Sequence, residues 1–278
     1  MLTLSAARVL GRGAAPLVAR ALAAAPFETC LVAARFEQVG LDRAKLGGQF
    51  WGVSGGRGGL CFDGANLVPL TGDDHAMRLF AQAAGRRARR CASVIGPAAL
   101  VLPLWERLQP AWGRARDVRP DQPLLALTGP SRSPLDPGVR AVSPAELERY
   151  FPAAVAMFTE EVGVDPRWPD HGISYRARLD GLLRSRRAFA RFDEHGRVVV
   201  KAEIGALSSQ VGLIQGVWVA PEWRGRGLAA PAVAAVARQI TQLGRTPSLY
   251  VNHHNHRARA AYERVGFRQV GTFASVLF

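Results

Sequence analysis

The chain has 278 residues and a formal net charge of +14, with 36 Lys and Arg against 22 Asp and Glu. Hydrophobic residues make up 48%, which suffices for packed cores and, at this length, for two domains. The longest apolar run, Val94 to Trp105, is interrupted by Gly96, Pro97 and Pro103, which excludes a membrane span. Three widely spaced cysteines, Cys30, Cys61 and Cys91, fit buried thiols in a reducing cytoplasm and exclude a disulfide framework or a cysteine zinc site. Residues 13–26 are alanine-rich but contain Arg20 and lack the order of a secretory leader.

In chain order, residues 3–40 read as mainly helical, followed by short strands at Gln49–Val53, Leu60–Asp63 and Leu67–Leu70. A helix over Asp73–Ala84, a strand over Cys91–Ile95, a helix over Pro97–Leu108 and a strand over Pro123–Leu127 come next. Residues 128–138 hold Gly129, Pro130, Ser131, Ser133, Pro134, Pro137 and Gly138, the best linker in the chain, and divide it at 1–132 and 138–278. The second half begins with a strand at Val139–Val142 and helices over 144–162 and 173–185. Strands at Ala188–Phe192, Val198–Ala206 and Leu213–Val219 follow, then a glycine turn, a helix, a strand, a helix and a final strand pair from Phe267.

Nearly all the basic charge is arginine, since only Lys45 and Lys201 are lysines. Arg86, Arg87, Arg89 and Arg90 cluster, as do Arg184, Arg186 and Arg187. A solvated surface explains such clusters first, and attraction of a polyanion second. No nucleic-acid module with interleaved stacking aromatics is present in the pattern.

One stretch organises the second half. Val217 and Val219 share a strand face, and Pro221 ends the strand. Arg224-Gly225-Arg226-Gly227-Leu228-Ala229 forms a tight turn. The next helix places Leu228, Val233, Val236, Ile240 and Leu243 on one stripe, with Pro231 in its first turn. A helix N-terminus has orphan N–H groups and a positive dipole end, and glycines admit an anion close to the backbone. A dinucleotide fingerprint needs glycines directly after the strand and an acidic residue about 20 positions on. Here four residues intervene after Ala220, and the later position falls on Leu249-Tyr250-Val251-Asn252. Further on, Asn255 suits a helix N-cap, Ala258, Ala261, Tyr262 and Val265 share a face, and Gly266 suits the helix end.

The turn, Arg-x-x-Gly-x-Ala, resembles the pyrophosphate loop of the GNAT superfamily of acyl-CoA-dependent N-acyltransferases. Asn255-x-x-Ala258-x-x-x-Tyr262-x-x-x-Gly266-Phe267 resembles the second half of that family's pattern. The resemblance implies an α/β fold with a mixed sheet: a GNAT-like second domain preceded by a degenerate GNAT-like first domain. Segments 64–69, 90–97 and 117–124 also resemble the first part of two-part GNAT proteins. In the first half, Leu70-Thr71-Gly72-Asp73-Asp74 stands where the glycine turn would be, and its two carboxylates repel pyrophosphate.

The resemblance implies direct transfer of an acetyl group from acetyl-CoA, as cosubstrate, to an amine on a small molecule or a protein. Val217, Trp218 and Val219 would hold the pantetheine arm. Arg224, Gly225, Arg226, Gly227, Leu228 and Ala229 would hold the pyrophosphate, and Asn255 would contact the CoA arm. Tyr262 would direct its hydroxyl at the CoA sulfur. The base is left open among Glu203, Glu160 and Glu161, because the strand before the turn offers only Gln215. Glu203 has a plainer reading as the partner of Lys201 on the same strand face. His253, His254 and His256 serve at most as a base or shuttle, and no metal or membrane is expected. A binding module that performs no turnover is the alternative, and the oligomeric state, homodimer included, is left open.

Overall fold

The computed structural model describes residues 6–53 and 58–278. The elements in order are β1 (Arg8–Val9), α1 (Ala15–Ala24), α2 (Pro26–Val39), α3 (Arg43–Leu46), β2 (Gly48–Val53), β3 (Gly59–Gly64) and β4 (Asn66–Gly72). Next are α4 (Asp74–Gly85), β5 (Ser93–Pro97), α5 (Ala98–Trp112), β6 (Asp117–Ala126), β7 (Arg140–Ala141), α6 (Leu147–Val162) and α7 (Ile173–Arg184). The chain finishes with β8 (Ala188–Phe192), β9 (Val198–Leu207), β10 (Val211–Val219), α8 (Ala229–Gln242), β11 (Thr246–Tyr250), α9 (His256–Val265) and β12 (Arg268–Leu277). Among the described residues no helix is long and apolar enough to cross a membrane.

Two compact units form, and they are not consecutive in sequence. The first contains Met1–Leu125, Tyr250–His254 and Gln269–Phe278; the second contains Ala126–Leu249 and Asn255–Arg268. The change at Leu125 falls just before the expected linker. The linear division at 1–132 and 138–278 differs at the C-terminus, because β12 returns to the first unit. There it pairs antiparallel with β5, Ala274 opposite Gly96 and Val276 opposite Val94. The expected final strand pair is one long strand.

In the first unit β1 to β4 pair antiparallel in sequence order, and β4 and β5 are parallel, joined through α4. A parallel pair needs such a crossover. Neighbouring residues of β2 enter different cores, as a strand alternation demands. Phe50 packs with Val18, Leu22 and Val32 of α1 and α2. Trp51 packs with Met77 and Phe80 of α4 and with Val101 and Leu104 of α5. The sheet is therefore covered on both faces.

In the second unit β8, β9 and β10 pair antiparallel, and β7 adds to β8. Tyr150, Ala154, Leu179 and Leu183 of α6 and α7 pack with Ala188, Ala190 and Val198. Val233, Val236 and Ile240 form the buried stripe of α8. Gly212 lets Ile240 lie against β10: a Cβ there would meet Ile240 Cγ2 at 2.6 Å. The expected stripe runs too far. Leu228 is the N-cap of α8, and Leu243 lies past its end and is 52% exposed.

Candidate active site

Strand β10 is irregular where the sequence placed the site. Its register with β9 shifts between Gln215 and Trp218, and Gly216 there has φ +59°. A side chain at Gly216 would press on Lys201 Nζ at 3.0 Å and Met157 Cε at 3.1 Å, so the bulge requires glycine. On its other edge β10 pairs parallel with β11 only at Val211, Gly212 and Leu213. Beyond Leu213 the strands part, leaving Val217, Trp218 and Val219 without a β11 partner. Ser248, opposite Leu213, has a buried hydroxyl without a hydrogen-bond partner among the described residues.

The glycine turn follows this open edge. Gly225 and Gly227 have φ +78° and +75°, and a Cβ built at either meets nothing within 4 Å. No side chain caps α8 at Leu228. Among the described residues, no backbone N–H from Gly225 to Ala230 has a hydrogen-bond partner. The turn is held from outside. Arg224 Nε donates to the Val219 carbonyl at 2.9 Å, and its Nη2 donates to Glu160 at 2.7 Å. Trp218 Nε1 also donates to Glu160, at 3.2 Å. The Arg226 guanidinium stacks 4.7 Å from the centre of the Trp223 ring. These residues fit a pyrophosphate: unpartnered donors, a cationic rim, and space where glycine lacks a Cβ.

The expected bases fare differently. Glu203 is 1% exposed and pairs with Lys201 Nζ at 2.9 Å, which itself donates to the Gly216 carbonyl at 3.0 Å. The Glu203 carboxylate also accepts from the Tyr150 hydroxyl at 3.0 Å and Gln215 Nε2 at 3.4 Å, with Arg178 at 3.5 Å. Burial pushes its carboxyl up, but Lys201 and Arg178 outweigh this and hold it below the usual range. A charge so enclosed braces the bulge, and the reading of Glu203 as a base is replaced by its plainer one. Glu160 is held below its ordinary range chiefly by the hydrogen bond from Arg224, so it too is a poor proton acceptor. Its task is to anchor the turn to α6.

Tyr262 lies on the buried face of α9 beside Ala261 and Val265, the face its spacing predicts. Its ring lies edge-on to Phe267, and its hydroxyl makes no hydrogen bond among the described residues. Burial raises its phenol above the ordinary value, and the charge of Glu161 raises it further. Glu161 also raises Tyr175, after burial and Glu203. Glu161, named in the sequence beside Glu160 but not favoured, is thus the carboxylate felt at Tyr262. Asn255 caps α9, accepting from Ala258 N at 3.1 Å. His253 lies in the first unit, its Nδ1 2.9 Å from Asp121.

The family model of FR47-like proteins matches residues 196–275, and that of a domain of unknown function, DUF4081, matches residues 48–150. No curated protein matches the sequence. Among solved structures, a Drosophila protein aligns with a TM-score of 0.66 at 13% identity, covering 99% of each chain. A GCN5-related N-acetyltransferase from Sphaerobacter thermophilus aligns at 0.56 and 20% identity, over 98% of this chain and 95% of that one. A GNAT-family acetyltransferase from Colwellia psychrerythraea aligns at 0.56 and 12%, over 98% and 99%. At these identities the likeness establishes the fold, and it extends over both units. The FR47-like match falls on the bulged strand, glycine turn and α9, and the fold of the chain is like that of these GNAT-family structures, with a first part that lacks the glycine turn.

Proposed function

We propose that the second unit is an N-acetyltransferase that moves an acetyl group from acetyl-CoA to a primary amine by direct transfer. The observation that carries this reading is the parted strand β10 feeding a glycine turn with unpartnered N–H groups and open space at Gly225 and Gly227. Acetyl-CoA, as substrate, brings a thioester for transfer and a pyrophosphate for that turn. The N–H groups of Gly225 to Ala229 donate to the pyrophosphate oxygens. The free edge at Val217, Trp218 and Val219 offers backbone groups to the amide-bearing arm, although the Val219 carbonyl already accepts from Arg224.

The neutral amine attacks the thioester carbonyl carbon, forming C–N as C–S breaks. Tyr262 gives its hydroxyl proton to the departing thiolate. The amine proton leaves toward Glu161 or water, and the phenol is reprotonated from the same pool. Lys201 and Glu203 hold the bulge that aims the strand edge. The acceptor is a small-molecule or protein amine, and the location is cytoplasmic, in keeping with three buried cysteine thiols.

The test is Tyr262→Phe. The ring is retained, so acetyl-CoA affinity should stay within about twofold while kcat falls about 10²-fold, the scale of general acid catalysis. An unchanged kcat in the folded variant would remove Tyr262 from the mechanism. A second reading is an acyl-CoA-binding module without turnover. It is favoured by Gln215 on β10 and by the enclosure of Glu203, which leave no free base on the strand. Release of free thiol across a panel of amines separates the two.

A further inference from the structure

In the first unit a cavity of about 330 Å³ is lined by Gln49, Trp51, Asp63, Arg87, Arg90 and Trp112, among others. Two observations set it apart. The indole Nε1 atoms of Trp51 and Trp112 are both buried and have no hydrogen-bond acceptor among the described residues, and Trp51 is only 2% exposed. An indole nitrogen can only donate, and buried donors without acceptors are rare in folded proteins. Both tryptophans line the cavity, and their nitrogens call for acceptor atoms from elsewhere.

The rim supplies the charge of that missing partner. Arg87 lies 5.2 Å from the centre of the Trp51 ring and 3.7 Å from Asp63. Asp63 also accepts from Gln49 Nε2 at 2.9 Å, so the carboxylate in the lining is already paired. Arg89 is held 4.1 Å over the Phe278 ring and donates to the Cys91 carbonyl at 3.4 Å. Arg90 has no acceptor among the described residues. The arginine cluster visible in the sequence is thus gathered at the mouth of a cavity with aromatic walls and two unpartnered donors. A cavity of this size is at the lower end of small-molecule sites, which start at about 300 Å³.

We propose that the first unit binds a small organic anion here, a carboxylate or a phosphate monoester. Its oxygens accept from the Trp51 and Trp112 indoles, its charge meets Arg90 and its neighbours, and its apolar part lies against the tryptophans.

The full-length chain, labelled with ¹⁵N, is titrated with benzoate, with phenyl phosphate and with neutral benzamide, following the indole N–H resonances. At least one anion should shift the Trp51 and Trp112 resonances saturably, and benzamide should not. The anion that binds more tightly identifies the head group. Arg90→Gln, on the exposed rim, and Trp112→Phe should each weaken binding about tenfold, the loss of one charge-assisted hydrogen bond. If Trp112→Phe does not fold, Arg90→Gln alone carries the comparison. The proposal is overturned if neither anion moves either resonance at about 10 mM, which would leave the donors to water. It is equally overturned if benzamide binds as well as the anions, or if Arg90→Gln binds as tightly as the parent.

Discussion

Two turns in this molecule join a sheet strand to a helix, and they handle the helix N-terminus in opposite ways. After β4, Asp73 caps α4 by accepting from Ala76 N at 3.0 Å, and Asp74 in the first turn pairs with Arg107 at 2.5 Å. Gly72 is packed: a Cβ there would meet Ala76 Cβ at 2.7 Å. After β10, no side chain caps α8, Arg226 and the Glu160-paired Arg224 flank the turn, and Gly225 and Gly227 border open space. One turn satisfies its own dipole and closes; the other leaves donors and volume for an anion from outside. A shared fold thus does not carry a shared site.

The comparison can be broken in several places. With the glycines left in place, the largest expected effect on affinity is at Arg224, which ties the open turn to Val219 and Glu160. Arg224→Ala should weaken acetyl-CoA binding about tenfold by calorimetry, roughly one charge-assisted hydrogen bond. An unchanged affinity would mean that the turn needs no anchoring. At the closed turn, Asp73→Ala should lower stability by about 1 kcal/mol, as loss of an N-cap does, and leave acetyl-CoA affinity unaltered. Denaturant melts and a parallel titration check both halves of that statement.

The smallest effect concerns a third helix start, which is closed like that of α4. Glu146 completes a capping box with Ser143 and is gripped by Arg140 at 2.7 and 2.8 Å. The hydrogen bond from Arg140 holds its carboxyl at about 2. A carboxyl depressed on folding stabilises above its unfolded value of about 4.3, and that contribution disappears as pH falls toward about 2. Arg140 is half exposed, so the contribution is at most about 1 kcal/mol. Parent and Glu146→Gln should therefore differ in urea melts at neutral pH and converge toward pH 2. A gap that widens in acid would contradict the assignment.

The features legible in the sequence are the local ones. Glycines two apart before a helix, Asn255 three residues before Ala258, and Gly266 at a helix end each act over a single turn. The structure places each in the expected role: φ is +75° to +110° at Gly225, Gly227 and Gly266, and Asn255 caps α9. Features fixed by distant parts of the chain were not legible. Glu203 is enclosed partly by Tyr150, 53 residues away, and by Arg178 on α7. Strand β12 joins the first unit's sheet by pairing with β5, far back in the chain. The tryptophan cavity likewise needs β2 and the end of α5 brought together by folding.

The central claim is that one open helix N-terminus, and not its closed counterpart, receives the pyrophosphate of acetyl-CoA. Calorimetric titration of the full-length chain with acetyl-CoA, beside Gly227→Asp and Asp73→Ala, tests it directly. The parent should bind about one equivalent. Gly227→Asp places a β-carbon at φ +75° and a negative charge in the open cradle, and binding should fall at least about 100-fold, whereas Asp73→Ala should bind as the parent does. Two equivalent sites per chain, or undiminished binding by folded Gly227→Asp, would contradict the account.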